Sequence, residues 1–307
     1  MCGIVAVISG CGRPVLKDLA NGAHFLQHRG PAYAGAFVLD PARRCATLEK
    51  GEGLADDIFK PLGWIPGDIG IAHTRYRTHG GGGTDNAQPF WDPLSGIALA
   101  HNGHVTNVAQ ISAELADRGQ RLGSTCDAEA LLRVLALWID HFRSADSAAA
   151  EAEVLFQAIT EVQKRVTGAF SAVVVTPENL AAFRDPHGFR PMVRGHRDGA
   201  DRSAVMIASE TLALEQNGFT VEEEVPHGVA LVVNRDLVID ERALVQRDPM
   251  PCAFELIYFA DVESAMMGDK LRSYRWRAGR ALAMHLLEVA PELVPESTDA
   301  GVLVPRV

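Results

Sequence analysis

A cysteine stands at position 2, directly after the initiator methionine and before a glycine. Removal of Met1 would put two useful groups on that one residue. The free α-amine has a reference pKa of about 7.7 to 8.0, close enough to neutrality to accept a proton from a thiol of about 8.5. The nucleophile then carries its own base, as N-terminal threonine does in other hydrolases. The plain alternative is a structural thiol that happens to come second, since buried structural cysteines are inert. Met-Cys alone does not separate the two.

The context is longer. Gly70-Ile71-Ala72-His73-Thr74-Arg75-Tyr76-Arg77-Thr78-His79-Gly80 is followed by Asn86-Ala87-Gln88-Pro89-Phe90 and by His101-Asn102-Gly103-His104. Together with Cys2-Gly3-Ile4-Val5, His28-Arg29-Gly30 and Asp127, this resembles the class II glutamine amidotransferases, which use an N-terminal cysteine nucleophile. Phe183-Arg184-Asp185-Pro186-His187-Gly188-Phe189-Arg190-Pro191, Ala208-Ser209-Glu210-Thr211 and the stretch from Pro251 to Ala260 resemble, more narrowly, the glutamine phosphoribosylpyrophosphate amidotransferase branch of that family. Each string is weak alone, but their order and number over nearly the whole chain make chance implausible.

The resemblance implies a role for each matching residue, and each role has a physical reason and a rival. Arg75 offers a planar fork for the α-carboxylate of glutamine. Asp127 suits the α-ammonium; its rival role is a helix N-cap. The Asn102 side-chain amide and the Gly103 backbone N–H form an oxyanion hole, where loss of one donor typically costs about 10² to 10³ in rate. The same Asn-Gly pair is also a common type I′ hairpin turn. Arg29 is the family arginine beside the cysteine, where a cation favours thiolate, or else a surface ion pair. Tyr76, Thr78 and His79 fall on positions that line the glutamine pocket; for Thr78 and His79 a strand-end turn is the alternative. After Arg29-Gly30 the family commonly shows Gln or Tyr followed by Asp, whereas this chain has Pro31-Ala32-Tyr33. Cys126 is read as a packed thiol.

The elements that must position these residues are legible as short apolar runs and helical periods. Ile4 to Ile8, Phe170 to Val175, Val205 to Ala208 and Val229 to Val233 read as strands, with Ile97 to Ala100 also strand-like. Leu16, Leu19, Ala20, Ala23 and Leu26 share one helical face, as do Val108, Ile111 and Leu115 before a stop at Gly119. Further helices are expected from Asp127 towards Phe142 and over Val154 to Val166. Strands, then helices, then strands indicate an α+β layered domain. The resemblance implies the four-layer αββα sandwich of N-terminal nucleophile (Ntn) hydrolases over residues 1–245. Residues 246–307 are expected to be a truncated phosphoribosyltransferase-like segment, a short C-terminal remnant of a transferase domain, whose apolar face of Phe254, Leu256, Tyr258 and Phe259 needs a cover. The four-glycine run Gly80 to Gly83 reads as a mobile or tightly turning loop.

The chain has 307 residues, 47% apolar and 22% charged, with 29 Lys+Arg against 39 Asp+Glu and a formal net charge of −10. A chain of that size buries roughly three-quarters of its unfolded surface. The acidic balance argues against nucleic-acid binding. Five cysteines with no CxxC argue against a disulfide framework or zinc site. No apolar run approaches the roughly 18 residues of a membrane span, and the start lacks a basic signal-peptide region, so a cytoplasmic protein is expected. Cys252 resembles one ligand of the iron–sulfur cluster of some relatives, but one cysteine cannot hold a cluster, so no cofactor or metal is expected.

The function expected is a glutaminase: hydrolysis of glutamine to glutamate and ammonia, feeding a separate ammonia-accepting synthase, with the chain in a homo-oligomer or hetero-complex. A stand-alone hydrolase of another γ-glutamyl amide or hydrazide, or a catalytically silent assembly subunit, are the alternatives. No phosphoribosyl transfer by this chain alone is expected, because no acidic-pair strand with a phosphate-cradling loop occurs before Val307. Mass spectrometry of the active protein is expected to show Met1 removed, because the chemistry needs the Cys2 amine free; fully active protein retaining Met1 would exclude the self-base mechanism.

Overall fold

The computed structural model describes residues 1–77, 81–198 and 203–291. In chain order the first half runs β1 (Gly3–Ser9), α1 (Leu16–Phe25), β2 (Tyr33–Asp40), β3 (Cys45–Glu52), α2 (Ala55–Phe59), β4 (Ile69–Arg75), β5 (Phe90–Asp92) and β6 (Ile97–Val105). Three helices follow, α3 (Val108–Asp117), α4 (Asp127–Ala145) and α5 (Glu151–Arg165). The second strand-rich stretch comprises β7 (Gly168–Val175), β8 (Asn179–Arg184), β9 (Val193–Arg197), β10 (Ala204–Ala208), α6 (Thr211–Glu215), β11 (Thr220–Glu224), β12 (Val229–Asn234) and β13 (Ile239–Ala243). A two-stranded turn, β14 (Ala265–Met266) with β15 (Asp269–Lys270), leads into α7 (Leu271–Val289).

Two sheets stack face to face. One is ordered β11-β9-β10-β1-β4-β2-β3 and the other β13-β12-β8-β7-β6-β5, with antiparallel pairing throughout. β1 shows why. Its residues are all buried, with Val5 and Val7 packed under α1 and Ile4, Ala6 and Ile8 packed against the second sheet. A strand covered on both faces has no polar side, which is why Gly3–Ser9 reads as a continuous apolar run rather than an alternation. β7 has the same character. Its Val173 and Val175 enter the core between the sheets, while Phe170, Ala172 and Val174 meet the helical layer of α3, α4 and α5. The resulting α-sheet-sheet-α order is the four-layer α+β sandwich expected from the sequence.

The helices match the periodic segments closely, since each owes its stability to one apolar stripe. α4 buries Leu131, Leu135 and Ile139 and α5 buries Val154, Ala158 and Val162. The strands that escaped notice fall into two groups: β2, β4 and β8 are buried strands whose apolar runs are broken by Gly35, by Gly70 and His73, and by Asn179 and Arg184, and the others are marginal. β3, β11 and β13 lie at or near sheet edges and carry Glu49, Glu222 to Glu224 or Asp240 to Arg242. Charge on an edge strand guards against edge-to-edge pairing, and it removes the apolar signature.

The segment after residue 245 is stitched to the sandwich rather than detached from it. Arg247, Met250 and Cys252 donate backbone N–H groups to the carbonyls of Pro186, His187 and Phe189. Of the four apolar residues expected to form one face, Leu256 and Phe259 are half-buried against the domain, while Phe254 and Tyr258 are 68% and 55% exposed. α7 buries Leu271 and leaves Trp276, Leu282, Met284 and Leu287 exposed.

Candidate active site

Cys2 lies just ahead of β1, at the end of the gap between the two sheets. Ser209 braces that strand end from one side, accepting the Ile4 N–H on its Oγ at 3.0 Å while its own N–H reaches the Ile4 carbonyl at 3.0 Å. From the opposite sheet, Asn102 Oδ1 accepts the Cys2 N–H at 3.0 Å. Burial pushes the Cys2 thiol above its ordinary pKa; the Met1 amine, a bond from the Tyr76 backbone N–H and the charge of Arg75 pull the other way. The resting thiol is therefore protonated, and a base close at hand is needed to activate it.

Asn102 and Gly103 sit inside β6, paired with Ser171 and Phe170 of β7. The hairpin-turn alternative is excluded. Gly103 has φ of +138°, and a Cβ there would stand 2.0 Å from the Ala169 carbonyl oxygen, so no larger residue fits this distorted strand position. Just before it, the Gln88 side chain stands in for a neighbouring strand, accepting the His101 N–H at 2.7 Å and donating to its carbonyl at 3.2 Å. Asn102 is fully buried, and with Oδ1 committed to Cys2 its Nδ2 has no protein partner. Buried donors are rarely left so. This one belongs to the amide that is bonded to Cys2.

Asp127 begins α4, but the N-cap position is Cys126 and no side-chain cap forms. Its carboxylate instead reaches β6, accepting the Val105 N–H at 2.8 Å and pairing with His101 Nε2 at 3.1 Å and His104 Nδ1 at 3.4 Å. Burial works against its charge, but His101, the Val105 N–H and His104 outweigh it and hold the carboxyl well below its usual range. Asp127 is thus a standing negative charge that also fastens α4 to the strand bearing Asn102. Cys126, buried beside that carboxylate, is pushed up to about 12, which makes it the packed thiol expected.

Arg29 lies beside Cys2, as the resemblance implies, and is not the surface ion pair that was its alternative. It is fully buried. Its Nε donates to the Cys2 carbonyl at 2.9 Å, while its two terminal nitrogens reach Glu210 at 2.5 Å and Glu255 at 2.8 and 3.0 Å. Burial opposes its charge, yet the two carboxylates more than compensate and keep it firmly protonated. The Phe259 ring caps the guanidinium at 4.8 Å. Glu210 in turn accepts from His28 at 2.8 Å, the Asp261 N–H at 2.9 Å and the Ser264 hydroxyl at 2.7 Å. Arg29 therefore positions the Cys2 backbone. Glu210 and Glu255 are site residues that reading the sequence missed: both stand in the strings that carry the family resemblance, but nothing local to either one marks it as the partner of an arginine roughly two hundred positions away.

Arg75 ends β4, buried, with Gly30 packed so tightly on it that a Cβ would lie 2.4 Å from the Arg75 carbonyl carbon. Tyr76 contributes its main chain to Cys2, while its side chain is 46% exposed. Thr78, His79 and Gly80 lie outside the described residues. The rest of the glycine run is tied down: Gly81 N–H donates to Thr125 Oγ1 at 3.1 Å, Asn86 Nδ2 reaches the Gly81 carbonyl at 3.0 Å, and Gly83 N–H donates to the Tyr33 hydroxyl at 2.9 Å. His73, in line with Ile69, Ile71 and Arg75 on β4, is buried and held neutral by burial first and by His101 and Arg75 next. Among the described residues no group of three or more His, Cys, Asp or Glu could hold a metal.

Two stacked antiparallel sheets between helical layers, with Cys2 at a central strand end and Asn102 bonded to its N–H from the facing sheet, are the arrangement of a class II glutamine amidotransferase domain. Residues 73–216 match the family model described as a glutamine amidotransferase domain, and the chain carries that domain. The chain is similar to full-length amidophosphoribosyltransferases. It is 35% identical over 284 residues to the Escherichia coli protein, across 90% of this chain and 55% of that one. It is 34% identical over 306 residues to amidophosphoribosyltransferase 2, chloroplastic, of Arabidopsis thaliana, across 98% and 51%. Among solved structures it superposes on the allosteric regulatory enzyme of purine biosynthesis with a TM-score of 0.79 at 28% identity, over 92% of this chain and 58% of that one. The B. subtilis glutamine phosphoribosylpyrophosphate amidotransferase gives 0.77 at 27% identity, with the same coverage. The chain thus spans a little over half the length of these curated relatives.

Two outcomes are expected from this geometry. A glutamine-like diazo ketone or chloroketone labels Cys2 and spares Cys126, read by peptide mass spectrometry; labelling at Cys126 would move the nucleophile. Glu210→Ala leaves the buried Arg29 guanidinium with Glu255 but without its second carboxylate, and costs about 1.5 to 3 kcal/mol in chemical denaturation at neutral pH. Glu210 is held down to about 2 from 4.5, so its contribution is whole above about pH 4.5 and fades as the pH falls towards 2. The wild-type advantage over Glu210→Ala shrinks across that window.

Proposed function

We propose that this chain hydrolyses the side-chain amide of glutamine, through a γ-glutamyl thioester on Cys2, to glutamate and ammonia. The observation that carries the reading is the bond from Cys2 N–H to Asn102 Oδ1, which fixes the nucleophile's backbone and leaves Asn102 Nδ2 as an unpaired buried donor beside it. With Met1 removed, the Cys2 amine takes the thiol proton as sulfur adds to the amide carbon. Asn102 Nδ2 and the Gly103 N–H receive the developing oxyanion. Collapse expels ammonia, which takes the proton back from the amine. Water then adds to the thioester, giving its proton to the same amine, and glutamate leaves with the thiol restored.

Arg75 holds the α-carboxylate in this reading and Asp127 the α-ammonium, with Tyr76 supplying its backbone N–H to the sulfur; Thr78 and His79 complete the pocket by family resemblance. The segment after residue 245 acts as the seat of a partner. Its exposed Phe254, Ile257, Tyr258 and Trp276 receive either a second copy or an ammonia-accepting synthase.

The deciding experiment is a glutaminase assay with and without phosphoribosylpyrophosphate, scored for glutamate, ammonia and phosphoribosylamine. Glutamate and ammonia without phosphoribosylamine are expected, and Cys2→Ala abolishes both. Arg75→Ala and Asp127→Ala each remove a charged hydrogen bond worth about 1.5 to 3 kcal/mol and lower kcat/KM roughly tenfold or more. Asn102→Ala acts on kcat. Unchanged saturation by glutamine in the Arg75 and Asp127 variants would show that the substrate lies elsewhere.

A further inference from the structure

A row of side chains crosses three adjacent strands of the first sheet. Gly3 pairs with Thr74, so the next step back brings Cys2 level with Arg75, and Arg75 pairs with Tyr33 on β2. Neighbouring strands lie about 4.8 Å apart, which puts Tyr33 about 10 Å from the strand line of the nucleophile, with Arg75 between. Tyr33 is 3% exposed, its ring is 5.6 Å from the Arg75 guanidinium carbon, and its hydroxyl accepts the Gly83 N–H. The ring is therefore clamped at both ends, by the strand at Cα and by the glycine run at the hydroxyl. It also falls in Pro31-Ala32-Tyr33, where this chain departs from the pattern its family commonly shows after Arg-Gly.

We infer that Tyr33 is the end wall of the glutamyl site and makes it selective for substrates whose α-carboxylate is free; this rests on the reading of Cys2 as a glutaminase nucleophile and Arg75 as its carboxylate fork. The dimensions support it. Glutamine spans about 5 Å from its side-chain carbonyl carbon to its α-carboxyl carbon, four bonds of about 1.5 Å in zigzag, which is one strand spacing. A carboxylate seated on Arg75 thus ends where the Tyr33 ring begins. Extending that carboxyl by a peptide bond adds about 3.5 Å and drives the added residue into a ring that cannot swing aside. The wall stands at the carboxyl end alone, so the leaving-group side of the amide is left to other residues.

The test compares glutamine with glutaminyl-glycine, which keeps the α-amine and side-chain amide but extends the carboxyl. Wild-type protein favours glutamine by about a hundredfold or more in kcat/KM; Tyr33→Ala narrows that ratio at least about tenfold, and Tyr33→Phe, which keeps the ring, holds it within about twofold. A ratio unchanged in Tyr33→Ala overturns the wall. Protection of Cys2 from alkylation gives a second readout that needs no turnover, usable on the wild type and on Tyr33→Leu if the alanine variant fails to fold. Glutamine protects and the dipeptide does not in wild type, whereas both protect Tyr33→Leu. Wild-type protein that shows this protection pattern but releases no glutamate would refute the glutaminase reading and leave the wall standing; wild-type protein that hydrolyses both compounds alike would do the reverse, and protection by neither would refute both.

Discussion

A guanidinium with no access to water is the constraint around which this molecule is arranged. Arg29 lies between Glu210, Glu255 and the Cys2 carbonyl. Burying an unpaired charge is prohibitive, and pairing it compensates only when geometry and hydrogen bonding are near ideal. Two carboxylates from distant parts of the chain supply that geometry here. Glu210 follows the end of β10, and Glu255 belongs to the segment beyond residue 245. The strand end that bears Cys2 is therefore placed by charge balance as well as by packing, and the segment after residue 245 belongs to the same electrostatic unit. Arg275, donating to the carbonyls of Leu256 and Ala260, extends that unit to α7.

The second organising feature is the gap between the sheets. Along most of its length it is filled by Ile4, Ile8, Phe37, Ile71, Val173 and Leu231. At one end the apolar filling gives way to Cys2, His73, Arg75 and Asn102, so the site is the polar mouth of an otherwise apolar layer. This explains the chemistry of its groups. Burial raises the Cys2 thiol and keeps His73 neutral, whereas Asp127, reached by two histidines and a backbone N–H, stays ionised. A protonated thiol beside a standing carboxylate would be a poor nucleophile on its own, which is why the α-amine is central to the reaction proposed. The Asn102-Gly103 pair is held firmly because Gly103 takes a strand conformation that other residues rarely adopt, with Gln88 standing in for a neighbour strand beside it.

Much of this was legible in the amino-acid sequence, for physical reasons that differ by element. The buried strands β1, β7, β10 and β12 announce themselves as apolar runs because both their faces are covered. α1, α3, α4 and α5 announce themselves as stripes because only one face is. Cys2, Arg75, Asn102, Gly103 and Asp127 stood out because their types and order follow a family pattern, so their grouping around one strand end was foreseen. Edge strands such as β11 and β13 were not, because the charges that protect an edge erase the apolar period.

What only the tertiary structure decided is which groups meet. Asn102-Gly103 is a strand and not a turn because β7 pairs across it. Asp127 is a strap to β6 and not a helix cap because Val105 and His101 lie within its reach. Arg29 holds the Cys2 backbone, and is not a surface ion pair, because Glu210 and Glu255 meet it in the interior. Tyr33, part of the departure from the family pattern after Arg29-Gly30, stands beside Arg75 because β2 and β4 pair in that register and no other. Local residue types determine which chemistry a side chain can perform, but partners separated by one or two hundred positions are brought together by sheet register and layer packing, and those depend on the whole core at once.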